Sequence, residues 1–129
     1  MSEHSIVHVE IAARDPQAVG HFYHDLFGWS IHPIPGMSYT RFQTASGQTG
    51  GFVEPGGTLQ HQVGEVLVYV ESDDIDGDLA KAVQLGGKIL VPKTEIPRTG
   101  WYGIFQDPAG NRLGLFRRTG YITQDSASL

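Results

Sequence analysis

The chain repeats itself, and that repeat limits its possible folds more than any other feature. Phe42-Gln43-Thr44-Ala45-Ser46-Gly47-Gln48 lines up without a gap on Phe105-Gln106-Asp107-Pro108-Ala109-Gly110-Asn111, an offset of 63 residues. Tyr39 matches Tyr102 at the same offset, Ile34-Pro35 matches Ile96-Pro97 at 62, and Pro33/Pro92, Gly28/Gly87, Leu26/Leu85 and Asp15/Asp74 match at 59. An ordered series with a slowly growing offset marks a duplicated supersecondary unit with small loop insertions. At 129 residues and 40% hydrophobic, the chain suits one compact domain, so neither copy is expected to be stable alone.

Each copy reads as β-α-β-β-β. In Ile6-Val7-His8-Val9-Glu10-Ile11, the residues Val7, Val9 and Ile11 take one face and His8 and Glu10 the other, the alternation of a strand covered on one side by a helix. Asp15-Pro16 supplies an N-cap with proline at the first helical position, and Val19, Phe22, Tyr23 and Leu26 form a helical stripe that stops at Gly28. Trp29 to Pro35, Ser38 to Thr44 and Gln48 to Glu54 read as strands, parted by Pro35-Gly36 and Ala45-Ser46-Gly47.

The second copy restarts with Val66, Val68 and Val70 in the phase of Val7, Val9 and Ile11, which puts Leu67 and Tyr69 where His8 and Glu10 fell. Asp74 caps a helix with Ile75, Leu79, Ala82 and Val83 facing inward, and Gly86-Gly87 ends it. Lys88 to Glu95, Gly100 to Gln106 and Asn111 to Arg118 complete the unit, the last two as a hairpin turned by Asp107-Pro108-Ala109-Gly110. The organisation is therefore unit one at 5–54, a polar connector without a motif at 55–64, unit two at 65–118 and a tail at 119–129, in which Tyr121 and Ile122 suit docking on a partner subunit. The fold class is α+β, two tandem βαβββ units forming a cupped mixed sheet with the helices on its outer face.

Charge and composition narrow the partners. A formal net charge of −5 and no basic run beyond Arg117-Arg118 argue against nucleic acid and anionic membranes, which leaves small molecules. With no cysteine there is neither disulfide, thiolate metal site nor cysteine nucleophile. The start lacks a charged region followed by an apolar run, and no segment approaches the length of a membrane span, so a cytoplasmic protein is expected.

The chain resembles the vicinal oxygen chelate superfamily of glyoxalases, bleomycin-resistance proteins and extradiol dioxygenases. The carrying residues are His8-Val9-Glu10-Ile11, Asp15-Pro16, Phe22-Tyr23, Phe27-Gly28-Trp29, Asp73-Asp74-Ile75, Gly86-Gly87 and Asp107-Pro108-x-Gly110-Asn111, within about Ile6 to Arg117. Trp101 before Phe105-x-Asp107-Pro108, and Gly114-Leu115 after Asn111, place it nearest the branch of enzymes related to lactoylglutathione lyase. The resemblance implies metal ligands at the positions of His8, Gly51, Leu67 and Gly114, of which only His8 has a donor. Such sites need three or more N/O protein ligands, so no catalytic metal is expected there and no other cofactor is implied. The resemblance further implies a homodimer.

Strand parity aims His8, Glu10, Leu67, Tyr69 and Phe116 into the cup. That lining suits a small organic molecule with a polar or cationic handle, and Gly51 and Gly114 would leave room for it. Arg41, Trp101 and Tyr102 lie on strands whose parity the sequence leaves open; Trp101 is the favoured stacking surface. His8 and Glu10 are either the proton carriers of a lyase- or isomerase-type reaction or a buried polar pair bonded to backbone or Arg41. His21, His24 and Asp25 fall off the apolar stripe and read as solvated. The functional expectation is a glyoxalase-like enzyme without the family's metal. A metal-free drug- or metabolite-sequestering protein of the bleomycin-resistance type is the alternative, and a purely structural module comes last.

Overall fold

The computed structural model of the protein describes residues 3–57 and 59–119. Its elements are β1 (Ile6–Ala12), α1 (Pro16–Phe27), β2 (Ser30–Pro33), β3 (Tyr39–Gln43), β4 (Thr49–Val53), β5 (Val66–Glu71), α2 (Ile75–Gln84), β6 (Lys88–Ile96), β7 (Gly100–Gln106) and β8 (Arg112–Arg118). The fold is α+β with two tandem βαβββ units, as the repeat requires. In each unit the last three strands form an antiparallel meander whose final strand pairs in parallel with the first, giving the orders β2-β3-β4-β1 and β6-β7-β8-β5. The eight-stranded sheet to which they belong is mixed for that reason. The expected docking of Tyr121 and Ile122 lies outside the described residues. No helix is long and apolar enough to cross a membrane.

By internal contact the chain divides into two compact units, one running from Val7 to Val68, the other from Tyr69 onward together with the residues ahead of Val7. The leading residues join the later unit through the Glu71 amide, which donates to the Ser5 carbonyl at 2.8 Å, and through His4, whose Nε2 lies 2.9 Å from Asp78 Oδ2. Asp78 also takes the Ser72 hydroxyl at 2.6 Å. Desolvation pushes the Asp78 carboxyl up, but the bonds from Ser72 and His4 outweigh it and hold the group below the usual carboxylate range.

Both helices start on the caps that the sequence advertises. The Asp15 carboxylate accepts from the Ala18 amide at 3.1 Å and Asp74 from the Gly77 amide at 3.0 Å, each satisfying a donor that the first helical turn leaves open. Gly28 ends α1 in the left-handed region, at φ 76°. The helical phase, however, differs from the apolar stripe. Phe22, Leu26 and Val83 point outward, at 58%, 56% and 48% exposure, and the inward faces are built on Pro16, Val19, Gly20 and Tyr23 in α1 and on Ile75 and Leu79 in α2. The reason is close approach. A Cβ at Gly20 would stand 2.9 Å from Ile31 Cγ2, so α1 is docked on β2 through its glycine, and the residues around Gly20 turn inward in place of the bulkier Phe22 and Leu26.

Beneath α1 lie Ala13, Phe42 and Phe52, flanked by Val9, Ile11 and Trp29. Trp29 stacks on Phe42 at 4.5 Å between centroids and on Tyr23 at 5.3 Å. Beneath α2 lie Ile75, Leu79 and Leu115. The duplicated turns use one device with different side chains: Asp107 Oδ1 accepts from the amides of Ala109 and Asn111 at 2.9 Å, and Thr44 Oγ1 accepts from the Gln48 amide at 3.1 Å. Thr44 and Asp107 are equivalent in the repeat.

The phase of α2 is testable in denaturant melts. Leu79→Ala empties a buried position and is expected to lower stability by about 2–5 kcal/mol. Val83→Ala, on the exposed side, is expected to change it by less than about 0.5 kcal/mol.

Candidate functional site

Alternation along β1 sends Val9 and Ile11 under α1 and therefore puts His8 and Glu10 on the opposite face. Register across the first unit aligns Glu10, Gly51, Arg41 and His32 in one row of that face and His8, Thr49, Gln43 and Ser30 in the next. Tyr39, two residues before Arg41, belongs to the same face. Its ring crosses Gly51, where a Cβ would collide with the ring, and so reaches past β4 to β1.

The Tyr39 hydroxyl there lies 2.6 Å from His8 Nε2 and donates to Glu10 Oε2 at 3.1 Å. On the other side of the ring, His8 Nδ1 lies 3.0 Å from Thr49 Oγ1, whose hydroxyl donates to the Val7 carbonyl at 3.4 Å. The rings of His8 and Tyr39 are nearly parallel, 10° apart. On its other side Glu10 meets His61, whose Nε2 stands 3.1 Å from Oε1; the two side chains are 11% and 8% exposed. His61 is held by a short bridge in which the Gly56 amide donates to the His61 carbonyl at 2.7 Å. Five side chains thus form one hydrogen-bonded chain, Thr49–His8–Tyr39–Glu10–His61. Burial, and after it the Glu10 carboxylate, push the Tyr39 phenol far above the ordinary tyrosine range, against a smaller lowering by Arg41.

Several expected residues stand elsewhere than the sequence suggested. Trp101 is corrected: it shares the α2 side of β7 with Gly103 and Phe105, packs against the Ile75, Leu79 and Leu115 cluster, and carries Lys93 Nζ over its ring at 4.8 Å. The opposite face of that unit holds Tyr69, with Phe116 beside Tyr102 across the β7–β8 pair. Leu67 is buried on β5 in phase with Tyr69. Arg41 lies on the His8 face. The room expected at the glycines is filled, by the Tyr39 ring at Gly51 and by the Tyr69 ring at Gly114. His24 is exposed, its Nδ1 2.9 Å from the Trp29 carbonyl oxygen.

Tyr39, Thr49 and His61 were missed as members of the site. Tyr39 stood out only as a marker of the repeat, and the connector that holds His61 carries no motif. Of the metal-ligand positions implied by the resemblance, Gly51 and Gly114 lie under tyrosine rings and Leu67 is a buried hydrocarbon, so the residues present do not fit a chelated ion there. Among the described residues no group of three or more His, Asp or Glu converges as a metal site.

A tandem βαβββ protein with one polar, hydrogen-bonded sheet face is the class that these features define. Residues 5–115 match the model of the Glyoxalase/Bleomycin resistance protein/Dioxygenase superfamily, and the chain belongs to that family. It is 28% identical over 119 residues to CFP32 of Mycobacterium bovis and to CFP32 of Mycobacterium tuberculosis, candidate glyoxylases by name. The match covers 88% of this chain and 46% of theirs, so the chain spans about half the length of those relatives. Among solved structures, a methylmalonyl-CoA epimerase of Streptomyces coelicolor superposes with TM-score 0.64 at 18% identity, covering 90% of this chain and 98% of that one. A Mn(II)-bound glyoxalase of Novosphingobium aromaticivorans superposes with TM-score 0.65 at 18% identity, covering 90% and 39%. At such identities the likeness is one of fold.

Tyr39→Phe keeps the ring over Gly51 and deletes the central hydroxyl, leaving His8 and Glu10 without that partner. A loss of about 1–3 kcal/mol is expected in urea melts near pH 7. Because folding raises the phenol's pKa, the stabilisation it brings is whole below the unfolded value of about 10 and is lost as pH rises beyond it. The gap between wild type and Tyr39→Phe should therefore narrow in melts above about pH 10.

Proposed function

We propose that the chain binds a small organic carbonyl compound on the polar face of its first unit and moves a proton on it, in a lyase- or isomerase-type reaction that uses no metal at the family's chelating positions. The observation that carries this reading is the Tyr39 hydroxyl held between His8 Nε2 at 2.6 Å and Glu10 Oε2 at 3.1 Å. A base that takes up a proton must return it or pass it on, and a hydrogen-bonded chain gives that proton a route.

Glu10 is the base in this reading. It takes a proton from the carbon next to the substrate carbonyl, the electron pair left on carbon moves to the carbonyl oxygen, and return of a proton to carbon completes an exchange that consumes no oxidant or reductant. His61 and Tyr39 hold the carboxylate in place from either side, and His8 holds the Tyr39 hydroxyl.

A second reading, sequestration of a metabolite or drug without reaction, is favoured by a different observation. Each member of the five-residue chain already has a partner within the fold, so the network serves as scaffold without any substrate.

Deuterium wash-in at the α-carbon of small aldehydes, ketones and 2-oxo acids in D2O, followed by proton NMR, separates the two. Enzyme-dependent wash-in that survives a chelator and falls by roughly 10²–10⁴-fold in Glu10→Gln is the expected result. Binding without wash-in favours sequestration, and wash-in abolished by the chelator would sink the metal-free mechanism.

A further inference from the structure

The two copies of the repeat fill the space under their helices differently. In the first, Tyr23 of α1 stacks on Phe52 at 5.4 Å and on Trp29 at 5.3 Å, and Trp29 stacks on Phe42 at 4.5 Å. At the offset of 59 that aligns the helices, Tyr23 becomes Ala82 and Trp29 becomes Lys88; at the offset of 63, Phe42 and Phe52 become Phe105 and Leu115. The second copy therefore has neither of those two large rings. Leu79 and Leu113, which stand where Gly20 and Gly50 stand, return part of the volume. A cavity of about 320 Å³ remains beside α2, lined by Val70, Ala82, Leu85, Phe105, Leu113 and Leu115. Its charged groups are Asp78, Lys81 and Asp107, with His4 next to Asp78.

We propose that this cavity, on the helix side of the second unit, is a ligand site in its own right and takes an uncharged aromatic molecule of one or two fused rings, such as indole. The same place in the first copy holds a phenol ring and an indole ring against hydrocarbon and aromatic walls, so the shape left open is that of flat rings. A dry hole of ~150 Å³ walled by Leu, Ile and Phe suffices to take up benzene, and ligand pockets begin near about 300 Å³. Phe105 keeps the place of Phe42, on which Trp29 stacks in the first copy, and so offers an entering ring a stacking partner. Water in such a gap finds few polar partners, and its displacement by a ring is favourable. The helix does not settle into the gap because Ile75 and Leu79 are buried with Leu115 and Asp74 fixes its start. The charged groups set the class further. Asp78 and Asp107 outnumber Lys81, so a ring acid would enter against the local charge. The site owes nothing to the proton chemistry of Glu10.

Titration of the isotope-labelled full chain with indole, followed by two-dimensional NMR, reads the site directly. Saturable shifts centred on the amides of Val70, Ala82, Phe105 and Leu115 are expected, with indole-3-acetate binding at least about tenfold more weakly because its carboxylate would be buried beside Asp78. Ala82→Phe puts a ring where the first copy has one, and is expected to weaken indole binding by at least about tenfold while the spectrum stays dispersed. No saturable shifts in wild type, shifts centred instead on His8 and Glu10, equal binding of indole and indole-3-acetate, or undiminished binding to folded Ala82→Phe overturns the proposal; the wild-type titrations need no variant to fold. Lining amides that shift on dilution without indole would assign the gap to a second copy of the chain, and cross-peaks from the Leu115 methyls to the chain's own tail would assign it to that tail. Either result overturns it as well.

Discussion

A tyrosine ring laid across a glycine is the contact on which the first unit's polar face depends. Gly51 has no side chain above β4, and that vacancy is the passage by which Tyr39 of β3 reaches the side chains of β1. Any larger residue at 51 would meet the ring. With the ring in place, its hydroxyl joins His8 to Glu10, and Glu10 in turn fastens the connector through His61. Three strands and a loop are thereby tied by side chains whose polar atoms are withdrawn from water, a situation that holds only when every donor finds an acceptor. Among the described residues no buried side-chain nitrogen or oxygen lacks a partner.

The duplicated architecture makes the contrast between the two units instructive. Gly51 and Gly114 are equivalent in the repeat, and each is covered by a tyrosine, but the ring comes from β3 in the first unit and from β5 in the second. The strands and turns are conserved between copies because backbone pairing tolerates many side chains; even the turn acceptor has changed from Thr44 to Asp107 with its role intact. The faces away from the helices are free of that constraint. One has become a hydrogen-bonded polar network, and the other bears Tyr69, Tyr102 and Phe116, so the family's scaffold presents two chemically different surfaces built on one backbone plan.

That divergence is also why family membership alone says little about chemistry. The fold places a strand residue at each chelating position, but here those positions carry one imidazole, two glycines and a leucine. The imidazole, His8, is joined instead to Tyr39, Glu10 and His61, which lie off those positions. Function in such a scaffold follows the side chains that one particular register brings together.

Periodicity and punctuation in the amino-acid sequence were sufficient for the two units, the helix starts at Asp15 and Asp74, and the face of β1 that bears His8 and Glu10, because all of these arise from residues within a few positions of one another. The parity of β3 and β7 was not legible, so Arg41 and Trp101 could not be assigned a face; they proved to lie on opposite ones relative to their helices. Helix phase escaped for a related reason, since an apolar stripe does not reveal that a glycine is the point of closest docking. The partners of Glu10 are 29 and 51 positions away, Tyr39 by way of a glycine and His61 by way of a connector with no pattern of its own. Only tertiary structure could decide them, because a hydrogen bond is set by distance in space, and strand register together with the missing side chain at Gly51 is what makes that distance short.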